Sequence, residues 1–267
     1  MKATNNISLA DVKAVLGGPE GELWELLAGE HHEIGGMLTT RDMASRAGIT
    51  RGMRGVQLFC LNGAAMRVLV RFEGVKRMHG VEPTESLVKR GRLRTEMEGL
   101  TSRITFIHAD LVDSGLPSGD ADFIWGEGAW CYVEDKPGLI AEAARLVKPG
   151  GAIAFTDWIE GSRPLTGAEA ERFLGFMRFP CIQDLDGYRE LLTGCGCEVE
   201  HAADTGRFTP HAGMFLGMLE TQLSYDALKV LDFDMDELER WKDELRFMHD
   251  LARQGKIVQG MFVARKK

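Results

Sequence analysis

From about residue 56 to residue 158, short apolar runs alternate with longer amphipathic stretches, the pattern of parallel strands joined by crossover helices. Runs at 56–61, 76–81, 104–108, 121–125 and 152–158 are dense in Val, Ile, Phe or Leu and predict five buried strands. Between them, 64–72, 85–98 and 136–147 place apolar residues three and four apart, as in Leu139, Ala143, Leu146 and Val147, which predicts helices. Gly99 stops the second helix, and Pro149-Gly150-Gly151 turns the third into the next strand. Ahead of this core, Ser8 with Asp11 forms a capping box, and Leu23, Trp24, Leu26 and Leu27 make an apolar stripe, so a helical N-terminal lid is expected. Beyond it, Thr166 with Glu169 opens a helix rich in Phe and Met. A further helix at 185–192, a sixth strand at 198–205, a long helix at 234–253 and a final strand at 256–265 follow. The expectation is one α/β domain with a doubly wound sheet: a helical lid over 1–50, a parallel core over 51–160, and a helical insertion with the C-terminal strands over 161–267.

Composition narrows the function. The 44% apolar and 27% charged fractions belong to a globular chain, and a net charge of −8 opposes nucleic-acid binding, which needs cations to neutralise phosphates. No apolar run approaches the roughly 18 residues of a membrane span, and the first residues carry no apolar core of a secretion signal, so a cytoplasmic protein with small-molecule partners is expected. A homodimer is left open. Five cysteines without a C-x-x-C spacing suggest reduced thiols and neither a disulfide framework nor a metal site.

In open parallel sheets ligands collect beyond the carboxyl ends of the strands. After the first strand, the small residues Gly63, Ala64 and Ala65 let backbone N–H groups approach a ligand. Glu82 stands 19 residues beyond Gly63, near the spacing at which an acid takes ribose hydroxyls, and together they suggest an adenosine-containing ligand. After the third strand, Asp110 and Leu111 offer a carboxylate beside an apolar side chain, suited to a purine's amino edge and face, with a plain turn as the competing reading. After the fourth, Glu127, Trp130, Cys131 and Tyr132 put an acid, two aromatics and a thiol at the cleft mouth.

The segments HGVEPTESLVKRGR, ITFIHADLVDSGLPSGDADFIWGEGAWCYVEDK and EAARLVKPGGAIAFTDW resemble class I S-adenosylmethionine-dependent methyltransferases. The nearest likeness is to the sarcosine/dimethylglycine and phosphoethanolamine N-methyltransferase group, which LWELLAGEHHEIGG, DLDGYRELLTGCGCEVE and GKIVQGMFVARKK also resemble. That resemblance implies a Rossmann-like seven-stranded sheet with the last strand antiparallel and S-adenosylmethionine as cofactor. Glu82 would hold the ribose, Asp110 and Leu111 the adenine, and Glu127 would border the methionine end. It further implies methyl transfer to a small nucleophile, an amine, with Trp130 and Tyr132 positioning the acceptor and His32 closing the lid.

The first-strand motif departs from that group. Its usual Asp, three residues, Gly, one residue, Gly-Gly and later Arg read here as Gln57, Leu61, Gly63, Ala64 and Arg67. A left-handed backbone at Leu61 would cost roughly 1–2 kcal/mol, and the lost acid a further 1.5–3 kcal/mol or so. The departure keeps two alternatives open: an enzyme of this fold using another one-carbon carrier, such as a folate, or catalysing another transfer or lyase reaction, and a non-catalytic member. A His common in the group is replaced by Tyr132, a poorer base near neutrality.

Overall fold

The structure, a computed structural model, describes residues 2–3 and 7–267. Chain order begins with β1 (Lys2–Ala3), α1 (Leu9–Gly17), α2 (Pro19–Ala28) and α3 (Gly36–Arg46), the helices predicted as a lid. Ser8 caps α1 and Asp11 returns the bond to the Ser8 N–H at 2.8 Å, so the capping box forms. The core follows as β2 (Arg54–Leu58), α4 (Ala64–Phe72), β3 (Arg77–Glu82), α5 (Glu85–Met97), β4 (Ile104–His108) and β5 (Ala121–Glu127). After these come a single 3-10 turn at Trp130–Tyr132, α6 (Lys136–Leu146) and β6 (Val147–Glu160). The remainder is α7 (Gly167–Met177), β7 (Cys181–Ile182), α8 (Leu185–Gly194), β8 (Cys197–Asp204), α9 (Phe208–Glu220), α10 (Ser224–Val230), α11 (Met235–Arg253) and β9 (Ile257–Lys266).

Seven strands form one sheet in the order β4-β3-β2-β5-β6-β9-β8, with β9 antiparallel to both neighbours and the rest parallel where they pair. The expected doubly wound, Rossmann-like sheet with an antiparallel last strand is therefore present. Its order reverses between β2 and β5, so the crevice at their carboxyl ends is where a ligand is expected. Strand β2 is shorter than the apolar run that predicted it, because Phe59 turns into the left-handed region at φ +58° and leaves the ladder.

Two apolar clusters cover the sheet. The larger joins α1, α2, α7, α9 and α11 to the face carrying Leu58, Phe155 and Phe262; the smaller packs α3 and α4 against Met78, Phe123 and Trp125. Gly126 lets the Trp130 ring lie across β5, since a side-chain carbon there would meet that ring at 2.5 Å. The lid is tied to α5 by ion pairs of Glu25 with Arg90, at 3.1 Å, and with Arg94. No helix among the described residues is long and apolar enough to cross a membrane.

Candidate functional site

The loop from β2 to α4 lies at the switch point, and its backbone takes a shape that favours glycine. Phe59 and Leu61 have φ of +58° and +50°, a conformation that costs an L residue roughly 1–2 kcal/mol. Neighbouring polar groups hold the loop there. The Leu61 N–H donates to Glu82 Oε2 at 2.8 Å, the Gly63 N–H to the Cys60 carbonyl at 2.8 Å, and the Asn62 amide to the Glu30 carbonyl at 2.9 Å. Gly63, at φ +78°, starts α4. Gln57, at the motif's acid position, is buried, and its Oε1 has no partner, a cost of about 1–3 kcal/mol.

Glu82 ends β3 as predicted, but its carboxylate turns into the protein. It is 0% exposed, with Oε1 accepting from the Thr84 N–H at 2.9 Å and Oε2 from Leu61, and burial pushes its pKa up to about 8. Asp110 and Leu111 follow β4. Asp110 is exposed and accepts the Val112 N–H at 3.0 Å, whereas Leu111 is buried. Both border a cavity of about 190 Å³ that Pro83, Tyr132 and Val133 help to line.

On the other side of Tyr132 lies a second cavity of about 50 Å³, walled by Trp24, Tyr132, Trp158, Phe179 and Phe215, with Leu61, Gly128, His32 and Arg90 on its border. Trp24 and Trp158 meet edge to face at 6.3 Å, and Trp158 meets Phe179 the same way at 5.7 Å. His32 borders this chamber at φ +57°, its Nε2 3.9 Å from Glu25. Trp130 does not. Its ring stacks on Phe155 at 4.1 Å and its N–H donates to the Leu58 carbonyl at 3.1 Å, so the structure places the predicted acceptor-positioning indole in the core. Trp158, from the end of β6, supplies an aromatic face instead.

Glu127 likewise points into the protein, accepting from the Trp125 indole at 2.8 Å and meeting His31 Nε2 at 3.1 Å; the same His31 atom lies 3.1 Å from Thr40 Oγ1. Beside it is Glu33, which the sequence reading did not single out. Its Oε1 accepts from Thr156 at 2.9 Å and from the Gln259 amide, while Oε2 has no partner and lies 3.2 Å from where a side-chain carbon on Gly128 would stand. Burial, then the charge of Glu127, raises the Glu33 pKa well above the usual carboxylate range. Its unpartnered Oε2 thus stands beside Gly128, on the border of the chamber. Asp157 is also buried and raised by burial, and it accepts from the Cys131 N–H at 2.8 Å and the Tyr188 hydroxyl at 2.6 Å. No group of three or more His, Cys, Asp or Glu among the described residues is placed to hold a metal ion.

Residues 56–155 match the methyltransferase domain family. The sterol 24-C-methyltransferase of Eremothecium gossypii is 27% identical over 117 residues, which is 44% of this chain and 31% of that protein, so the chain spans about a third of the length of the first curated relatives it matches. Among solved structures, a proposed sarcosine dimethylglycine methyltransferase from Galdieria sulphuraria superimposes with a TM-score of 0.78 at 24% identity, covering 86% of both chains. Phosphoethanolamine N-methyltransferase 2 of Haemonchus contortus, in complex with S-adenosylmethionine, superimposes with a TM-score of 0.81 at 16% identity, covering 98% of this chain and 60% of that one. The fold is that of the class I methyltransferases.

Proposed function

We propose that this chain, which carries a methyltransferase domain in the class I fold, transfers a methyl group to a small amine at the carboxyl ends of β2, β5 and β6, with S-adenosylmethionine as the donor. The observation that carries the reading is the aromatic chamber walled by Trp24, Tyr132, Trp158, Phe179 and Phe215. The chamber is small, about 50 Å³, and walled by aromatic rings, so it suits a compact methylated head and not the ring system of a sterol. Indole and phenyl faces attract the ammonium form of such a head, by about 2 kcal/mol once water is excluded, and the amine loses its proton to solvent before its lone pair takes the methyl group.

When bound, S-adenosylmethionine supplies an electrophilic methyl group on a sulfonium. Gly63, Glu82, Asp110 and Leu111 stand in the order that an adenosine moiety needs: a helix start, an acid after β3, and an acid with an apolar residue after β4. Asp110 and Leu111 border open space for the adenine, whereas Glu82 has both oxygens bonded to backbone N–H groups and must release one of them to take ribose hydroxyls. The remaining work falls to the chamber. Trp24, Trp158 and Phe179 exclude water and fix the acceptor's direction, and alignment of that kind supplies much of the rate in a displacement. Glu33 Oε2 stands unpartnered beside Gly128, where a donor on the acceptor can reach it, and His31, between Glu127 and Thr40, fastens the lid to the end of β5.

The test is transfer of an isotopically labelled methyl group from S-adenosylmethionine to a panel of primary, secondary and tertiary small amines. Labelled product with an amine, and loss of at least ten-fold in kcat/KM in Trp158→Ala, support the reading. A panel without labelled product refutes the amine assignment.

A further inference from the structure

The crevice of this chain is closed by its own side chains. Phe59 has no exposed surface, and its ring lies 5.9 Å from that of Tyr132, which meets Phe179 edge to face at 4.9 Å. Tyr132 borders both cavities, the one of about 190 Å³ beside Asp110 and the one of about 50 Å³ beside Trp158. Neither reaches the roughly 300 Å³ at which pockets for drug-sized ligands begin, so a ligand that reaches from one into the other must pass Tyr132, the residue that borders both. Leu61 borders the smaller cavity directly. Glu82 has both oxygens bonded to backbone N–H groups, one of them that of Leu61, so the loop bearing these side chains also occupies the acid meant for ribose hydroxyls. Strained bulky residues persist only where the surroundings over-determine them, and here the hydrogen bonds of Leu61, Asn62 and Gly63 and a buried ring do so.

We propose that Phe59, Leu61 and Tyr132 form an aromatic and aliphatic partition that S-adenosylmethionine must displace to enter the crevice of the free protein, and that these three residues set the chain's selectivity among donors. The inference rests on the crevice assigned above as the donor site. A ligand confined to one side of Tyr132 is admitted as the protein stands; one spanning both sides must displace the ring. Glycine at 59 and 61 relaxes the backbone and empties the span together.

Calorimetric titration with S-adenosylmethionine and with its demethylated product tests this on the full chain, comparing wild type with Leu61→Gly, Phe59→Gly and the double variant, each checked for cooperative unfolding. The half-buried Leu61 keeps the test decidable should the Phe59 variants not fold. Leu61→Gly is expected to bind at least three-fold more tightly than wild type, and the double variant at least ten-fold. Equal affinities in wild type and folded variants overturn the partition while leaving the donor assignment standing, and folded variants that still do not bind overturn it as well. Binding by the variants alone supports the partition and removes S-adenosylmethionine as the native donor, so the two readings fail separately.

Discussion

Burial is the largest influence on Glu82, and it pushes the carboxyl up to about 8 against the two N–H groups that pull it down. An unfolded chain loses that proton near pH 4.3, so between there and pH 8 the folded state binds one proton more. The stability tied to this group is full below the unfolded value and declines as pH rises through the window, by up to about 1.4 kcal/mol per pH unit. Urea unfolding between pH 5 and pH 8 should therefore show a flatter pH dependence in Glu82→Gln than in wild type, by about one proton, whatever the absolute change in stability. Parallel curves would mean that the carboxyl is ionised in the fold. Spacing alone made Glu82, Asp110 and Leu111 legible, since each follows an apolar run at a strand's carboxyl end. Phe59 was hidden because an unbroken apolar run reads as continuing strand, and only the backbone's change of sign ends it. Glu33 was hidden for a different reason: its partners, Thr156 and Gln259, lie more than a hundred residues away, and no local pattern marks it.

Helix α4 carries the clamp that joins the lid to the crevice. The Arg67 guanidinium is buried and bonds the Asn62 carbonyl at 2.7 Å, the Glu30 carboxylate of the lid, and Glu98 at 2.8 Å. Its two acids are 45% and 35% exposed, so losing Arg67 leaves them in water, whereas losing both acids strands a buried cation. Denaturant titration is expected to show a loss of roughly 3 kcal/mol for Glu30→Gln with Glu98→Gln, and about 1 kcal/mol for Arg67→Met. The reverse order would place the cation in solvent. Most elements followed from period and punctuation because buried parallel strands are apolar throughout. Three did not. Strand β6 starts at Val147, which pairs with Ala121 before the Pro149-Gly150-Gly151 turn and the main ladder from Ala152. Helices α9 and α10 were not assigned individually, and the two-residue pairing of β1 with β7 is too short to show a period.

At the scale of the whole molecule two electrostatic influences would draw in the ammonium form of the proposed amine, which must then shed its proton before its lone pair can take a methyl group, and they differ in range. The net charge of −8 acts through solvent and is screened beyond about 8 Å at physiological salt. The aromatic chamber acts at contact and without intervening water, where salt has little effect. Comparison of a quaternary or tertiary ammonium ligand with its isosteric neutral carbon analogue separates the two, since the apolar area each buries is the same. The ammonium ligand is expected to bind at least ten-fold more tightly, about 1.4 kcal/mol, and the ratio should persist between 50 and 500 mM salt. A preference that vanishes with salt would assign recognition to the overall charge and leave the chamber as ordinary core. A preference lost in Trp158→Ala at every salt concentration assigns it to the indole at the end of β6, which also distinguishes this wall from Trp130, whose ring is already spent on Phe155.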